Sequence, residues 1–124
     1  MKKNLLTILF LIAFLCLQSV IYSHPIENFN MQAFSGKDTV SITVMHNIAA
    51  TKVKDVSKHF VKEIKVVLNN NEFSKSQNFT KQQTPVFERT TFKFPRALKK
   101  GDKITIYAMC NLKNQTKMIS FTIR

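Results

Sequence analysis

The sequence of 124 residues has few of the residue types on which common catalytic and binding motifs depend. It has two glycines, and it contains no glycine-rich phosphate loop, G-x-S-x-G elbow or H-E-x-x-H pair. Its seven acidic residues are scattered, so paired catalytic carboxylates are not predicted. Tryptophan is absent, and most aromatic residues are phenylalanines at predicted strand positions, which favours core packing over stacking on nucleic acid. Neither ordinary hydrolase chemistry nor nucleic-acid binding is therefore expected.

Long apolar runs are absent after the N-terminus. Two lysines near the start precede an apolar stretch at residues 5–17, and small polar residues, ending at Ser23, follow it in the order of a secretory signal peptide. The stretch is about 13 residues long, whereas a permanent transmembrane helix needs about 20. We therefore expect residues 1–23 to be a signal peptide and residues 24–124 to be an exported domain, periplasmic or secreted, with no membrane segment after cleavage.

The domain left after cleavage is strongly basic and has one cysteine. It contains 17 basic and 7 acidic residues, a formal charge of +10. This balance favours an anionic partner, although scattered basic residues also fit a solvated surface that keeps the protein soluble. Cys16 lies in the predicted signal peptide, so Cys110 has no partner for an internal disulfide. Its thiol is a packing group, an intermolecular partner or a metal ligand.

The domain is predicted to be all-β. Five segments alternate apolar and polar residues with the period of two that is typical of half-buried strands. These segments are residues 39–45, 60–68, 87–94, 103–109 and 117–123. Polar turns separate several of them, and residues 49–57 are expected to form a loop or one helical turn. Since no long amphipathic helix remains, we expect one immunoglobulin-like antiparallel β-sandwich of about seven strands.

Three candidate metal ligands lie at the ends of these strands. His46 follows the strand at 39–45, His59 precedes the strand that begins at residue 60, and Cys110 follows residue 109. If the strand at 60–68 pairs with the strand at 103–109, two imidazoles and a thiolate meet at one edge of the sandwich. Such a donor set suits iron, copper or zinc. Each histidine taken alone also fits a surface or hydrogen-bonded residue.

Six short segments carry a resemblance to a known family. They are His24-Pro25-Ile26-Glu27, His46-Asn47, His59-Phe60-Val61, Leu68-Asn69-Asn70-Asn71, Leu98-Lys99-Lys100-Gly101-Asp102-Lys103 and Cys110-Asn111-Leu112. Together they resemble the iron-binding domain of desulfoferrodoxin and neelaredoxin, the superoxide reductases. The resemblance extends over nearly all of residues 24–124. It implies an immunoglobulin-like sandwich with one mononuclear iron held by four histidines and one cysteine.

The resemblance also implies a ligand set and an activity. The implied metal ligands are His24, His46, His59 and Cys110. The family's C-N-x-H-G motif falls on residues 110–114, where Lys113 replaces the histidine and Asn114 the glycine. A non-haem iron here would be four-coordinate, or completed by water or an outside ligand. The implied activity is one-electron reduction of superoxide to peroxide with an external electron donor, and Lys113 is expected to steer the anion as a catalytic residue.

Two other functions stay open. The segments His59-Phe60-Val61-Lys62-Glu63-Ile64 and Gly101-Asp102-Lys103-Ile104 are also similar to the Z subunit of the thiosulfate-oxidation carrier complex, which implies a metal-free sandwich that binds a carrier-protein partner. Alternatively, cleavage after Ser23 would make His24 the N-terminal residue. Its amine and imidazole, with His46 or His59, would then chelate copper. The three functions predict iron, no metal and copper, respectively.

Overall fold

The alternating segments form two antiparallel sheets that pack face to face, and the computed structural model describes residues 26–124. Its seven strands are β1 (Asn28–Ala33), β2 (Thr39–Met45), β3 (Val61–Leu68), β4 (Phe73–Asn78), β5 (Phe87–Lys93), β6 (Lys103–Cys110) and β7 (Thr116–Thr122). One sheet has the strand order β1-β2-β5 and the other β4-β3-β6-β7. The predicted antiparallel sandwich of seven strands is confirmed. Both the predicted signal peptide and His24 lie outside the described residues.

The core lies between the sheets because one side of each inner strand is apolar. In β2 the side chains of Val40, Ile42 and Val44 are fully buried, and the residues between them are half-buried. β3 and β6 supply the opposite wall of the core with a similar alternation. Within the described range, no helix is long and apolar enough to cross a membrane.

Two strands, β1 and β4, were not among the segments predicted from the sequence. Both are polar edge strands: only Phe29 of β1 is fully buried, and every residue of β4 after Phe73 is exposed. Each forms because a hairpin places it beside a strongly apolar strand, β1 beside β2 and β4 beside β3. Asn69 and Asn71 have φ angles of 52° and 65° in the β3–β4 turn, and asparagine tolerates this conformation better than most residues.

One end of the sandwich brings three chain segments together. β3 pairs with β6 so that Val61, the first residue of β3, lies opposite Cys110, the last residue of β6. The connection from β2 to β3, residues 46–60, crosses between the sheets at this same end. Residues 49–57, where a loop or one helical turn was expected, form turns and bends without a helix. We call this end of the sandwich, where residues 46–60 meet the start of β3 and the end of β6, the site end.

At the opposite end of the sandwich, charged side chains form a hydrogen-bonded network. The Arg96 guanidinium contacts the Asp102 carboxylate through two hydrogen bonds of 2.8 and 3.0 Å and the Glu72 carboxylate through two of 2.9 and 2.8 Å. Asp102 also accepts a 2.7 Å hydrogen bond from the backbone N–H of Lys99. These hydrogen bonds, those of Arg96 first, hold the pKa of Asp102 well below its ordinary value.

The charge of Asp102 is expected to stabilise the fold. Asp102→Asn should lower the free energy of unfolding at pH 7 by about 2 kcal/mol, because hydrogen bonds to a charged group are lost. Since the folded-state pKa is depressed, this contribution is fully present above the ordinary aspartate pKa of about 3.9, begins to decrease below it, and is lost as the pH falls through the folded-state pKa. Urea unfolding at pH 7 and at pH 3 measures both effects, and the variant should differ less from the wild type at pH 3.

Asp38→Asn is the matched control. The side chain of Asp38 is 45% exposed, and its carboxylate lies 3.7 Å from the Lys93 ammonium, so its removal should change stability by no more than about 0.5 kcal/mol. Equal losses in the two variants at pH 7 would contradict a specific role for the Arg96 network.

Candidate metal centre

The site end contains a buried group of two histidines and one cysteine. His46, His59 and Cys110 are each at most 1% exposed. One potential ligand atom from each side chain lies within 4.8 Å of the other two. The three residues come from three segments that are far apart in sequence, namely the end of β2, the start of β3 and the end of β6. We call this group the His/His/Cys cluster.

His46 is positioned by its backbone and by its ring. Its backbone N–H donates to the carbonyl of Val86 at 2.9 Å, which ties the end of β2 to the loop before β5. On the ring, Nδ1 lies 2.7 Å from the side-chain oxygen Oε1 of Gln82. An amide oxygen only accepts hydrogen bonds, so Nδ1 is the protonated nitrogen and Nε2 carries the lone pair.

His59 follows the same rule with a backbone acceptor. Its Nδ1 lies 3.1 Å from the carbonyl oxygen of Val53, and a carbonyl cannot donate. The Thr51 hydroxyl lies 3.4 Å from Nδ1 and 2.7 Å from the carbonyl of Ile48, so it helps to order the loop around the ring. Nδ1 of His59 is therefore protonated as well, and Nε2 is the nitrogen able to bind a metal.

The two imidazole rings contact each other. Their centroids lie 4.7 Å apart, and the ring planes meet at 85°, an edge-to-face arrangement. Nε2 of His46 and Nε2 of His59 are both buried. Because each Nδ1 hydrogen bonds to the surrounding loops, both rings have the tautomer and the fixed orientation that imidazole ligands need.

Cys110 supplies the third donor. Burial raises the pKa of its thiol, while the backbone N–H of Leu112 and the charge of Lys62 act in the opposite direction. The thiol of the metal-free site is therefore protonated at neutral pH, and Nδ1 of both imidazoles donates to oxygen. A metal ion would bind the thiolate, so binding would release a proton.

Asn111 holds the cysteine close to His59. Its side-chain oxygen accepts a 2.8 Å hydrogen bond from the backbone N–H of Phe60, and its side-chain nitrogen donates to the carbonyl of Lys58 at 2.9 Å. Its own backbone N–H donates to the carbonyl of Phe60 at 3.0 Å. Residues on both sides of His59 are thus fixed to the residue that follows Cys110.

The spacing of the cluster is wider than that of ligands on one metal ion. Bonds from a metal such as zinc measure about 2.1 Å to imidazole nitrogen and about 2.3 Å to thiolate, so ligands arranged tetrahedrally lie about 3.5 Å apart. The three donors of the cluster lie within 4.8 Å of one another. The side chains would therefore have to move closer together to bind one ion.

The sequence-predicted site residues do not all lie in one place. The structure brings His46, His59 and Cys110 together, as expected from paired strands. Lys113 lies exposed in the β6–β7 turn with a φ angle of 58°, and its steering role stays a prediction. His24, outside residues 26–124, also remains a predicted ligand.

Two positioning residues were missed by sequence reasoning. Gln82 gave no signal because a glutamine in a polar loop follows no strand or helix period. Asn111 belongs to the Cys110-Asn111-Leu112 segment quoted for the resemblance, so its position was noted without a role. The contacts of both side chains with backbone groups become visible only when the loops are folded.

Comparisons with known proteins place the fold but not the function. No family model and no curated protein matches the sequence. A hypothetical protein from Pyrococcus horikoshii is similar in structure, with 19% identity, a TM-score of 0.52, and coverage of 87% of this chain and 99% of its own. A superoxide reductase in the oxidized state has 11% identity, a TM-score of 0.47, and coverage of 83% and 92%. At these identities the likeness shows the fold alone, and the second match is too weak to support an argument.

Removing the Asn111 side chain is expected to loosen the cluster. Asn111→Ala leaves the backbone N–H of Phe60 and the carbonyl of Lys58 without their partner, so the free energy of unfolding should fall by about 1–3 kcal/mol. Cys110 should also react faster with a thiol reagent under native conditions. Urea unfolding and thiol labelling measure the two effects.

Asn70→Ala provides the control, since Asn70 is exposed in the β3–β4 turn at the far end of β3. This variant should keep both the stability and the slow labelling of the wild type. Unchanged labelling in Asn111→Ala would show that Asn111 does not hold the cysteine in place.

Proposed function

We propose that the mature chain is an exported, mononuclear iron protein of the superoxide-reductase type. The observation that carries the proposal is the convergence of His46, His59 and Cys110, whose ligand atoms lie within 4.8 Å of one another in a buried site. The motif resemblance adds support because these three positions match three implied iron ligands.

The donor set narrows the choice of metal. A thiolate is a soft ligand and imidazole a borderline one, a combination used for iron, zinc and copper but not for magnesium or calcium. Iron is the redox-active choice that the resemblance implies. In this proposal His24 supplies a further imidazole, and water or an outside ligand completes the coordination.

A bound ferrous iron would supply one electron to superoxide, becoming ferric, while two protons from solvent complete hydrogen peroxide. The chain's own residues determine how this site behaves. His46 and His59 present Nε2 in a fixed orientation, and the Cys110 thiolate offsets part of the metal charge. An electron-donor partner is needed to return the iron to the ferrous state.

The charges around the cluster favour an anionic substrate. Lys58 precedes His59 and is exposed, and Lys113 is exposed in the turn after β6. Lys62 lies near Cys110, where its charge opposes part of the rise in the thiol pKa that burial causes, and it donates a 2.5 Å hydrogen bond to the side-chain oxygen of Asn114. Lysines on the segments that carry two of the ligands would raise the local concentration of superoxide at the site.

Metal analysis of matched variants tests the proposal. The mature protein, purified from its exported compartment, should contain close to one iron per chain, and Cys110→Ser should contain little or none because serine does not replace a thiolate ligand. Elemental analysis gives both values. Ala108→Ser is the control, because Ala108 is also buried on β6 and the substitution introduces the same hydroxyl two residues from the site.

Three other results would contradict the iron proposal or the ligand set in it. Protein without metal in the wild type and in both variants would favour the metal-free, partner-binding sandwich. Copper that is retained in Cys110→Ser and lost when His24 is deleted would favour the N-terminal copper site. Iron retained in Cys110→Ser would remove Cys110 from the ligand set.

A second test concerns the steering role of Lys113. Lys113→Ala should lower the second-order rate constant for superoxide by a few-fold at low ionic strength, because a positive charge near the site is lost. The difference should shrink with added salt, which screens exposed charges. Pulse radiolysis of the iron-loaded protein measures the rate constant.

Lys100→Ala is the matched control for this test. Lys100 is exposed in the turn before β6, at the opposite end of the sandwich. Its removal changes the net charge equally but should barely affect the rate constant. Equal rate constants for Lys113→Ala and the wild type would remove Lys113 from the mechanism.

A further inference from the structure

Gln82 is a buried polar side chain in an irregular loop. It is 1% exposed and lies in the β4–β5 connection, residues 79–86. Burying an amide is costly unless its donors and acceptor are all satisfied. Every side-chain polar group of Gln82 has a protein partner, and the partners come from the two segments that carry the histidine ligands as well as from its own loop.

The orientation of the Gln82 amide is determined by carbonyl groups. Its side-chain nitrogen donates to the carbonyl of His46 at 2.9 Å and to the carbonyl of Thr84 at 2.8 Å. Neither carbonyl is able to donate, so a flipped amide would place oxygen against oxygen twice. The side-chain oxygen must therefore face the other way, where it lies 2.7 Å from Nδ1 of His46.

The side-chain oxygen of Gln82 also accepts a hydrogen bond from the start of β3. The backbone N–H of Val61 donates to it at 3.3 Å, and the backbone N–H of Gln82 donates to the carbonyl of Val56 at 2.9 Å. The hydrogen bonds of Gln82 thus join three segments: its own loop, the end of β2 and the β2–β3 connection up to Val61. His46 and His59 lie on two of these segments.

We propose that Gln82 is a positioning residue that selects the Nδ1–H tautomer of His46 and thereby directs Nε2 into the His/His/Cys cluster. A neutral imidazole has two tautomers, and the one adopted depends on the partner of the other nitrogen. The oriented amide oxygen accepts only from a protonated Nδ1. The tautomer part of this inference needs no metal, whereas its consequence for metal affinity depends on the proposed function.

An amide suits this position better than a carboxylate or an apolar side chain. The amide has both the acceptor that Nδ1 of His46 needs and the donors that two carbonyls need. A glutamate would keep the acceptor for Nδ1 but would place its second oxygen against the carbonyls of His46 and Thr84. A methionine would match the length of glutamine but offer no acceptor. These two substitutions therefore separate the acceptor function from the fastening function.

The experiment uses the metal-free protein first. Long-range proton–nitrogen correlation spectra of the histidine rings report which ring nitrogen is protonated. We expect His46 in the Nδ1–H form in the wild type and in Gln82→Glu, and a mixture with substantial Nε2–H form in Gln82→Met. Gln83→Met is the control. Gln83 is the next residue and is exposed, and the substitution keeps the hydrogen bond that its backbone N–H donates to the Glu88 carboxylate.

The second measurement is a titration with Co²⁺, a spectroscopic probe for sites of this kind. Gln82→Met should bind Co²⁺ about 10-fold to 100-fold more weakly than the wild type, which is the usual cost of losing the partner of a ligating imidazole. Gln83→Met should bind like the wild type. Dispersed amide spectra of each variant establish that it is folded before the titration.

The results that would overturn this inference differ from those that would contradict the proposed function. An Nε2–H tautomer of His46 in the wild type, or an unchanged tautomer in Gln82→Met, overturns the inference. If Gln82→Met does not fold, Gln82→Glu decides: loss of the Nδ1–H form there overturns it, and retention supports it. A tautomer change in a protein that binds no Co²⁺ supports the inference and contradicts the proposed function.

Discussion

The antiparallel pairing of β3 with β6 determines where the chemistry of this protein lies. Its register sets Val61 opposite Cys110, and a shift of the register between Val61 and Glu63 marks the point where the ladder becomes irregular. Because β3 begins where β6 ends, His59, two residues before β3, lies close to Cys110, the last residue of β6. The β2–β3 connection then has to cross the sheets at this end, and it brings His46 with it. A one-residue slip would turn the Cys110 side chain to the opposite face.

The two ends of the sandwich are closed by different kinds of polar groups. At the far end, Arg96 joins the buried carboxylate of Asp102 to the partly exposed carboxylate of Glu72, and Arg96 is itself partly exposed, so water helps to solvate the charges. At the site end the polar groups are more deeply buried: two imidazoles, an amide and a thiol. A buried charge without a partner is costly, so a divalent cation bound there would need the negative charge of the Cys110 thiolate to offset part of its own.

Much of the fold, but less of the site, was predictable from the sequence. β2 agrees with its predicted bounds, β3, β5 and β6 differ from theirs by one residue at one end, and β7 is shifted by one residue, because alternation reports burial directly. The polar strands β1 and β4 lack this alternation of apolar and polar residues. They form because they pair with the apolar strands β2 and β3. His46, His59 and Cys110 were found because strand ends place them. Gln82 was missed because it contacts His46 from 36 residues away, through a loop with no periodic pattern.

The loops at the site end depend on side chains for their order, and this links stability to binding. Residues 46–60 and 79–86 contain no strand, and hydrogen bonds from Thr51 and Gln82 to backbone carbonyls hold them in place. A metal bound to the cluster would connect the end of β2, the start of β3 and the end of β6, and so would join the two sheets. Binding to the folded state alone would add about 2.7 kcal/mol at a free metal concentration 100 times the Kd. Since the ligands come from three separate segments, only the folded chain offers the complete site, and folding and metal retention should support each other.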